Sequence, residues 1–429
     1  MKKLVLWVSL VMAAPAFPGD GASGKSSPGE ARVVLGDERS ETYLPMLDGR
    51  KVALFSNHTG IVGDRAGGPH LVDVLLTEGV DVALIFSPEH GFRGDADAGE
   101  PVRGGVDGKT GVEILSLYGS GSAKALHEDS MGRFDVLLVD IQDVGLRYYT
   151  YYITMHRLME ACARYGKKVI VLDRPNPNGF YVDGPVLDMA YRSGVGGLPI
   201  PVVHGMTLGE LALMINGEGW LGSASGKSPG TASDSAHPAP VPGRTAEKAL
   251  RCDLTVIPCE NYTHRTLCDL IVPPSPNLKD MRAVYLYAST CFFEGTVVSL
   301  GRGTPFPFEV YGHPAMKGYS FSFTPRSIPG AKNPPHLDEV CHGVDLRGKP
   351  LEEIRREGIN LDYVIDAYRN LNMGAAFFGT NRHFDLLAGV GWVREMIEAG
   401  ASAPEIKARW AEDVERFKEQ RRPYLLYPE

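Results

Sequence analysis

Residues 134–173 of this 429-residue chain read FDVLLVDIQDVGLRYYTYYITMHRLMEACARYGKKVIVLD. The stretch contains an apolar run, Phe134–Asp140, a segment with helical spacing, Tyr152–Tyr165, and a second apolar run, Lys168–Leu172. Short β-branched runs that alternate with helical segments are typical of parallel strands joined by crossover helices. This unit therefore predicts an α/β fold.

The same alternation continues on both sides of this unit. Further strands are expected at Val52–Phe55, Val80–Phe86, Pro199–Val203 and Asp253–Ile257, and further helices at His70–Glu78 and Thr207–Asn216. Each connection is long enough to return the chain for a parallel strand. We therefore expect a parallel sheet covered by helices between residues 51 and 258.

The pattern changes after Pro273-Pro274-Ser275-Pro276. The rest of the chain contains an aromatic-rich segment (285–293), a Gly/Pro-rich loop (301–312), a strand (319–324) and a charged helix from Pro404 to about Arg421. This mixture predicts a smaller α+β domain at 273–429 after an α/β domain at 32–272. Residues 222–243, rich in Ser, Gly, Pro and Ala, are expected to form a low-complexity surface insertion because they bury too little apolar area.

The N-terminus has the features of a secretory signal peptide. Lys2 and Lys3 precede the apolar run Leu4–Ala13, and Ala14-Pro15-Ala16 resembles a cleavage site. The run is shorter than the roughly 20 residues of a spanning helix, so we expect no stable membrane insertion. Residues 1–16 are predicted to be removed near Ala16, residues 17–31 to form a disordered leader, and the protein to be periplasmic or secreted.

Composition excludes several classes of protein. The net charge is −8 and acidic residues are spread along the chain, so a nucleic-acid partner is not expected. The six cysteines include no Cys-x-x-Cys pair, and one disulfide among Cys252, Cys259 and Cys268 stays open. Gly-x-Gly-x-x-Gly after the first strand and His-Glu-x-x-His are absent from the sequence, and we expect no cofactor.

Polar side chains follow five of the predicted strands. They are Asn57, Glu89 and His90, Asp140 and Gln142, Asp173, Arg174 and Asn176, and His204. The carboxyl ends of parallel strands meet at one edge of a sheet, where ligands bind. Most of these residue types are also common in turns and caps. Glu89 and His90 are not, and Pro88 and Gly91 fix the loop around them, so we favour a functional role there.

The acidic residues at this edge suggest glycoside hydrolysis, which usually needs two carboxyl groups. Glu89 follows an apolar strand, and desolvation would raise its pKa toward that of a general acid. A salt bridge to Arg93 is the alternative. Asp140, Asp173 and Glu294 are candidates for the second carboxylate, and Asp140 and Asp173 could instead hold loop amides.

Residues near 147 and 302 are candidates for binding a ligand. Arg147 precedes Tyr148 and Tyr149, and tyrosine rings suit the C–H faces of a sugar while arginine grips a carboxylate. Part of this run could simply begin a helix. Arg174 is a second candidate for the anion. The glycines around Arg302 allow close approach of the backbone to a ligand, although a surface loop has the same composition.

Six spaced motifs resemble those of the NamZ-type exo-β-N-acetylmuramidases. They are FSNHTG (55–60), SPEHGFRG (87–94), DIQDVGLRYYT (140–150), LDRPNPNG (172–179), PVVHGMT (201–207) and EGT (294–296) followed by GRGTP (301–305). The resemblance implies a Rossmann-like catalytic domain, an ancillary C-terminal domain and Glu89 in the main catalytic role. It also implies release of terminal N-acetylmuramic acid from peptidoglycan fragments without a cofactor or metal. That sugar carries a lactyl carboxylate, so its pocket should contain a fixed cation.

Two alternatives to this interpretation stay open. One is a metal-assisted hydrolase that uses His58, His90, Asp140, Asp173 and His204. The other is a protein that binds muropeptides without cleaving them. The second catalytic group is also open, because the 2-acetamido group of the substrate could assist in its place.

Overall fold

The computed structural model describes residues 31–88, 91–92, 104–117, 125–222 and 249–429, and these contain ten strands and eleven helices. The strands are β1 (Lys51–Ser56), β2 (Asp81–Ser87), β3 (Gly105–Val106), β4 (Glu113–Ser116), β5 (Val136–Asp140), β6 (Lys168–Leu172), β7 (Asp253–Ile257), β8 (Val310–His313), β9 (Phe321–Phe323) and β10 (Cys341–Asp345). The helices are α1 (Ser40–Leu47), α2 (Leu71–Thr77), α3 (Glu128–Met131), α4 (Tyr151–Tyr165), α5 (Leu208–Gly217), α6 (Met281–Thr290), α7 (Leu351–Glu357), α8 (Asp362–Leu371), α9 (His383–Ala388), α10 (Trp392–Glu398) and α11 (Ala403–Arg421).

Seven strands form one sheet in the order β3-β4-β2-β1-β5-β6-β7. All neighbours are parallel except β3 and β4, so the α/β prediction is confirmed. The chain moves outward from β1 to one side and then returns to β5 on the other side. The strand order therefore reverses between β1 and β5, which is where a crevice opens at the carboxyl edge of such a sheet.

The central strands are buried because helices cover both faces of the sheet. All five residues of β5 are buried, as a two-sided apolar strand requires. Helix α4 follows β5 and ends at Gly166, whose φ of 62° lets the chain turn left-handed toward β6. A second, antiparallel sheet has the order β8-β10-β9.

The longest helix, α11, is well specified by its sequence. Ser402 and Glu405 form a reciprocal capping box at its N-terminus, and Ile406, Trp410 and Phe417 bury one face. The charged face lies outside. The prediction of a helix from Pro404 to about Arg421 is confirmed.

Five of the predicted strands in the first domain are confirmed, and one is wrong. The segment Pro199–Val203 is buried but forms no strand; Val203 makes only isolated bridges, to Leu146 and Asp183. Its two prolines lack the N–H that a central strand donates, which explains the difference. The edge strands β3 and β4 were not predicted because they are only two and four residues long.

Several predictions fall on residues outside the described part of the chain. These predictions concern the signal peptide (1–16), the leader except for Ala31, and the insertion except for Gly222. The proposed site residues Glu89 and His90 also lie outside the described part. No helix among the described residues is long and apolar enough to cross a membrane. All six cysteines are described and free, so the optional disulfide is not formed. The domain boundary near residue 272 stays a prediction.

Candidate active site

The loops after β1 and β5 are joined at the point where the strand order reverses. Ser56 and Asp140 are register partners at the ends of these strands. The Asn57 side-chain oxygen accepts hydrogen bonds from the N–H and hydroxyl of Thr59 at 2.9 and 2.7 Å. Its amide donates to the Tyr151 hydroxyl at 2.9 Å. Asn57 is fully buried and therefore orients this edge from beneath.

Gln142 extends the same network to the loop after β6. Its backbone N–H donates to the Thr59 hydroxyl at 3.0 Å, and its side-chain amide donates to the carbonyls of Asp143 and Pro175 at 2.8 and 2.9 Å. The side-chain amide of Gln142 is therefore already engaged by two backbone carbonyls of the protein. Gln142 thus positions three loops relative to one another.

Arg174 lies between two buried carboxylates. Its Nε donates to Asp140 Oδ1 and its Nη2 to Asp37 Oδ2, both at 2.7 Å, and Nη2 also donates to the Ile61 carbonyl at 3.2 Å. Burial raises the pKa of Asp37 to about 7, although Arg174 lowers it. Burial also opposes the charge of Arg174, but Asp140 and Asp37 hold the arginine pKa above its usual value. The group is a buried ion cluster beneath the loops.

Asp173 occupies the next position along the edge, at the end of β6. Its Oδ2 accepts from the hydroxyls of Thr207 at 2.7 Å and Tyr427 at 2.6 Å, and its Oδ1 accepts from the Gly209 N–H at 2.8 Å. Burial raises its pKa to about 6, while the two hydroxyl donors lower it. Asp173 therefore fixes the start of α5 and the C-terminal tail.

An aromatic cleft with a cavity volume of about 80 Å³ lies beside this edge. Tyr149 and Tyr151 donate their hydroxyl hydrogens to the Pro274 carbonyl at 2.6 and 3.1 Å. Because Tyr151 also accepts from Asn57, the cleft wall is tied to the loop after β1. The described lining residues are Tyr148, Tyr149, Thr150, Tyr151, Ser275, Asn277, Leu278, Tyr287, Arg302 and Phe308.

The rings of the cleft are packed edge to face. Tyr149 and Tyr151 have ring centroids 4.7 Å apart, and those of Tyr287 and Phe308 are 4.8 Å apart. Tyr148 donates to the carbonyls of Ala288 and Tyr287 at 2.7 and 3.0 Å. The hydroxyls of Tyr148, Tyr149 and Tyr151 are held by backbone carbonyls, and these nearly buried rings border the cleft with a narrow, fixed apolar surface.

Arg302 brings a positive charge to this cleft. Its Nε donates to Glu294 Oε1 at 2.6 Å, and its guanidinium lies 5.1 Å from the centroid of the Phe308 ring. Burial disfavours the charge, but Glu294 raises the pKa of Arg302 above its usual value. The cleft therefore combines flat aromatic walls with one fixed cation.

Sequence profiles of the two domains of exo-β-N-acetylmuramidase NamZ match residues 52–282 (N-terminal domain) and 285–427 (C-terminal domain). The chain belongs to the NamZ family. It is 35% identical over 403 residues to the peptidoglycan β-N-acetylmuramidase NamZ of Bacillus subtilis (strain 168), with 90% of this chain and 89% of that protein covered. NamZ proteins cleave glycosidic bonds, and this member is a glycoside hydrolase.

Solved structures of the family show the same fold. The crystal structure of a DUF1343 family protein from Bacteroides fragilis NCTC 9343 has a TM-score of 0.80 at 58% identity and covers 93% of this chain and 100% of its own. A second DUF1343 protein from that strain has a TM-score of 0.69 at 26% identity and covers 92% of this chain and 99% of its own.

The structure assigns a different part to Arg147 in this NamZ protein. Its side chain is fully buried, and its two terminal nitrogens donate to four carbonyls, those of Pro185, Ile200, Leu387 and Ala388, at 2.7 to 2.9 Å. Burial lowers its pKa to about 10. The predicted grip of Arg147 on a ligand carboxylate is therefore corrected: the residue braces the fold.

Four other predicted site residues are also engaged inside the protein. Arg174 is bound by Asp37 and Asp140, and Asp173 by three donors, as described above. Asn176 donates to the Met206 carbonyl and accepts from the Asn178 N–H, both at 2.8 Å. His204 lies in the core, where its Nδ1 accepts from the Met206 N–H, and burial lowers its pKa to about 3. These residues position the loops instead of facing the cleft.

The remaining predicted residues divide into three groups. Tyr148, Tyr149 and Arg302 line the cleft, and Glu294 contacts it through Arg302. Asn57, Asp140 and Gln142 are buried at the carboxyl edge of the sheet and do not line the cleft. Glu89 and His90 lie outside the described residues, but β2 ends just before them at Ser87, beside β1.

The metal alternative gains no support from the described residues. Among them, no group of three or more His, Cys, Asp or Glu side chains is placed to hold an ion. His58, for example, contacts the Pro273 carbonyl through Nε2 at 2.9 Å. His90, which also belongs to the proposed metal-binding residues, lies outside the described part of the chain.

Two kinds of residue were missed at the sequence level. Tyr287 and Phe308 face the cleft from the C-terminal half, and the aromatic-rich stretch 285–293 was the signal for the first of them. Asp143 accepts from the Gly145 N–H at 2.8 Å, and burial raises its pKa to about 7. The Asp-x-Gly spacing, typical of a tight turn, was its signal.

Proposed function

We propose that this protein is an exo-acting β-N-acetylmuramidase that releases N-acetylmuramic acid from the non-reducing ends of peptidoglycan fragments. The observation that carries the proposal is the cleft, whose tyrosine walls and single arginine suit a sugar that bears a carboxylate. Its family and its similarity to the Bacillus subtilis enzyme support the same substrate class.

In this mechanism Glu89 is the general acid that protonates the glycosidic oxygen. Two residues before Glu89, β2 ends at Ser87 beside β1, on the carboxyl edge that Asn57 and Tyr151 connect to the cleft, and this supports the proposal. Parallel strands bring their following loops to this common edge. His90, adjacent in sequence, is proposed to bind the substrate.

The same step also needs a group that attacks or stabilises the anomeric carbon. Asp140 is buried and binds Arg174, and Asp173 is buried and accepts three hydrogen bonds. Glu294 binds Arg302. We therefore favour the 2-acetamido oxygen of the substrate, which would attack the anomeric carbon as the protonated leaving oxygen departs. Water would then attack the anomeric carbon and open the resulting oxazolinium ion, giving its proton to the Glu89 carboxylate that the first step produced.

The test uses a disaccharide in which terminal N-acetylmuramic acid is linked to N-acetylglucosamine, because this sugar leaving group, unlike 4-nitrophenol, needs a proton to depart. Wild-type protein should release N-acetylmuramic acid, and Glu89→Gln should lower kcat by about 10²- to 10⁴-fold, the usual contribution of a general acid. Glu78→Gln, an equivalent exchange at an exposed position after α2, is the matched control and should retain activity. Near-normal turnover by Glu89→Gln would remove Glu89 from the mechanism, and binding without release would favour a non-catalytic protein.

We also propose that the protein is exported. Lys2, Lys3, the apolar run Leu4–Ala13 and Ala14-Pro15-Ala16 support a cleaved signal. The mature N-terminus, sequenced from the periplasm and the culture medium, should begin close to residue 17. A mature protein that still begins at Met1 inside the cell would contradict export.

A further inference from the structure

Arg302 is the one charged residue in the described lining of the cleft. It lies in a loop between Gly301 and Gly303, both of which have positive φ, at 86° and 81°. A side chain at Gly303 would clash with the backbone of Arg326 at 2.5 Å. This close packing fixes the backbone that carries Arg302, so its guanidinium is placed by the fold.

The other two arginines considered for an anion have no such access. Arg147 is fully buried and donates to four carbonyls, and Arg174 is shared by Asp37 and Asp140. A ligand could recruit either one only by breaking several buried charge-assisted bonds. Arg302 is partly exposed, with 20% of its side-chain surface accessible.

The contacts of Arg302 leave one edge of its guanidinium available. Glu294 takes the Nε hydrogen, and the Phe308 ring lies against one face. Within the described part of the chain, neither Nη1 nor Nη2 donates a hydrogen bond. Two parallel N–H groups on a fixed guanidinium match the two oxygens of a carboxylate.

We propose that Arg302 binds the lactyl carboxylate of terminal N-acetylmuramic acid through Nη1 and Nη2 and so selects this sugar over N-acetylglucosamine, which lacks that group. Glu294 is a positioning residue that holds Nε and turns the free edge toward the cleft. This inference rests on the proposed function. It replaces the catalytic role that the sequence suggested for Glu294.

The experiment compares three 4-nitrophenyl β-glycosides: N-acetylmuramic acid, its lactyl methyl ester, and N-acetylglucosamine. Wild-type protein should prefer the free acid over the ester by about 10- to 100-fold in kcat/KM, the range of a charge-assisted hydrogen-bond pair. Arg302→Gln should lower kcat/KM for the acid by a similar factor, mainly through KM, and should affect the ester by less than about threefold. Arg302→Lys, which keeps the charge but loses the fork, should lie between the two.

Arg347→Gln is the matched control. Arg347 also forms an ion pair, with Asp345, and also lies over a ring, that of Phe306 at 4.1 Å, but it does not line the cleft. It should leave the acid-to-ester ratio unchanged. For Glu294→Gln, the loss should fall on KM, whereas a catalytic carboxylate would lower kcat by about 100-fold or more.

The outcomes separate this inference from the proposed function. If wild-type protein cleaves the free acid and the ester equally well, or if Arg302→Gln lowers both by the same factor, Arg302 does not read the carboxylate. The comparison of acid and ester in the wild type shows whether the carboxylate is recognised at all, and Arg302→Lys tests the role of Arg302 if Arg302→Gln fails to fold. If wild-type protein cleaves none of the three glycosides, the proposed function itself is overturned.

Discussion

Replacing Arg147 with Met should destabilise the whole protein and not just weaken substrate binding. The substitution removes the hydrogen-bond donors of four buried carbonyls. These are the carbonyls of Pro185, Ile200, Leu387 and Ala388. A buried acceptor that loses its partner costs about 1 to 3 kcal/mol, so four would cost about 4 to 12 kcal/mol. Methionine no longer requires burial of a charge, which offsets part of this loss.

We expect a net loss of about 5 kcal/mol in the free energy of unfolding. Unfolding entropy is about 2.1 cal/mol/K per residue, or about 0.9 kcal/mol/K for 429 residues, so Tm should fall by about 6 °C. Thermal and urea unfolding monitored by circular dichroism measure the change. Arg347→Met, at a largely exposed arginine, is the control and should shift the free energy by about 0.5 kcal/mol or less.

A different result would refute the structural role of Arg147. If Arg147→Met keeps the wild-type Tm but loses discrimination between the free acid and its ester, Arg147 binds the ligand and Arg302 does not. If Arg147→Met and Arg347→Met unfold at the same urea concentration, the four carbonyl contacts contribute no net stability.

Two further predictions concern the buried carboxylates. Tyr427→Phe removes the hydroxyl that donates to Asp173 and accepts from the Cys259 N–H, and it should lower stability by about 1.5 to 3 kcal/mol in urea unfolding; an unchanged midpoint would contradict this. Burial raises the pKa of Asp143 from 3.8 to about 7, so the folded state holds a proton in this window that the unfolded chain has released, and stability falls as pH rises from about 4 to 7. Asp143→Asn, which mimics the protonated acid, should reduce the loss of stability between pH 5 and 8, and identical pH profiles for the two proteins would refute the assignment.

The sheet could be predicted because its strands are continuous apolar runs of ordinary length. All residues of β5 and all but the first of β6 are buried, as expected of apolar strands covered on both faces. Helix α11 was equally clear, since a capping box precedes a long amphipathic segment. Local sequence and global fold agree in these elements.

The segment Pro199–Val203 shows where this reasoning stops. It is apolar and buried like a strand, but Pro199 and Pro201 have no N–H to donate, and the chain passes through the core as an irregular segment. Its Ile200 carbonyl accepts from Arg147. Apolar composition predicted its burial correctly, whereas strand formation depended on backbone donors that it lacks.

The parts played by the arginines could not be read from the sequence. Arg147 and Arg302 both stand beside glycine or tyrosine in motifs that look suited to a ligand. What distinguishes them is distant in the chain: the carbonyls that surround Arg147 include residues 387 and 388, while Arg302 meets Glu294 and an open cleft. Contacts of such sequence separation leave no local signal.

The brace formed by Arg147 also limits how the protein can move. Sliding the segment at 387–388 away from the one at 185–200 would break buried charge-assisted bonds, each worth about 1.5 to 3 kcal/mol. Separating the two segments breaks the two bonds on one side of Arg147, so even at about 3 kcal/mol in total fewer than about one molecule in a hundred would be open at any moment. The protein around the cleft is thus rigid before the substrate binds, and binding costs little conformational entropy of ordering.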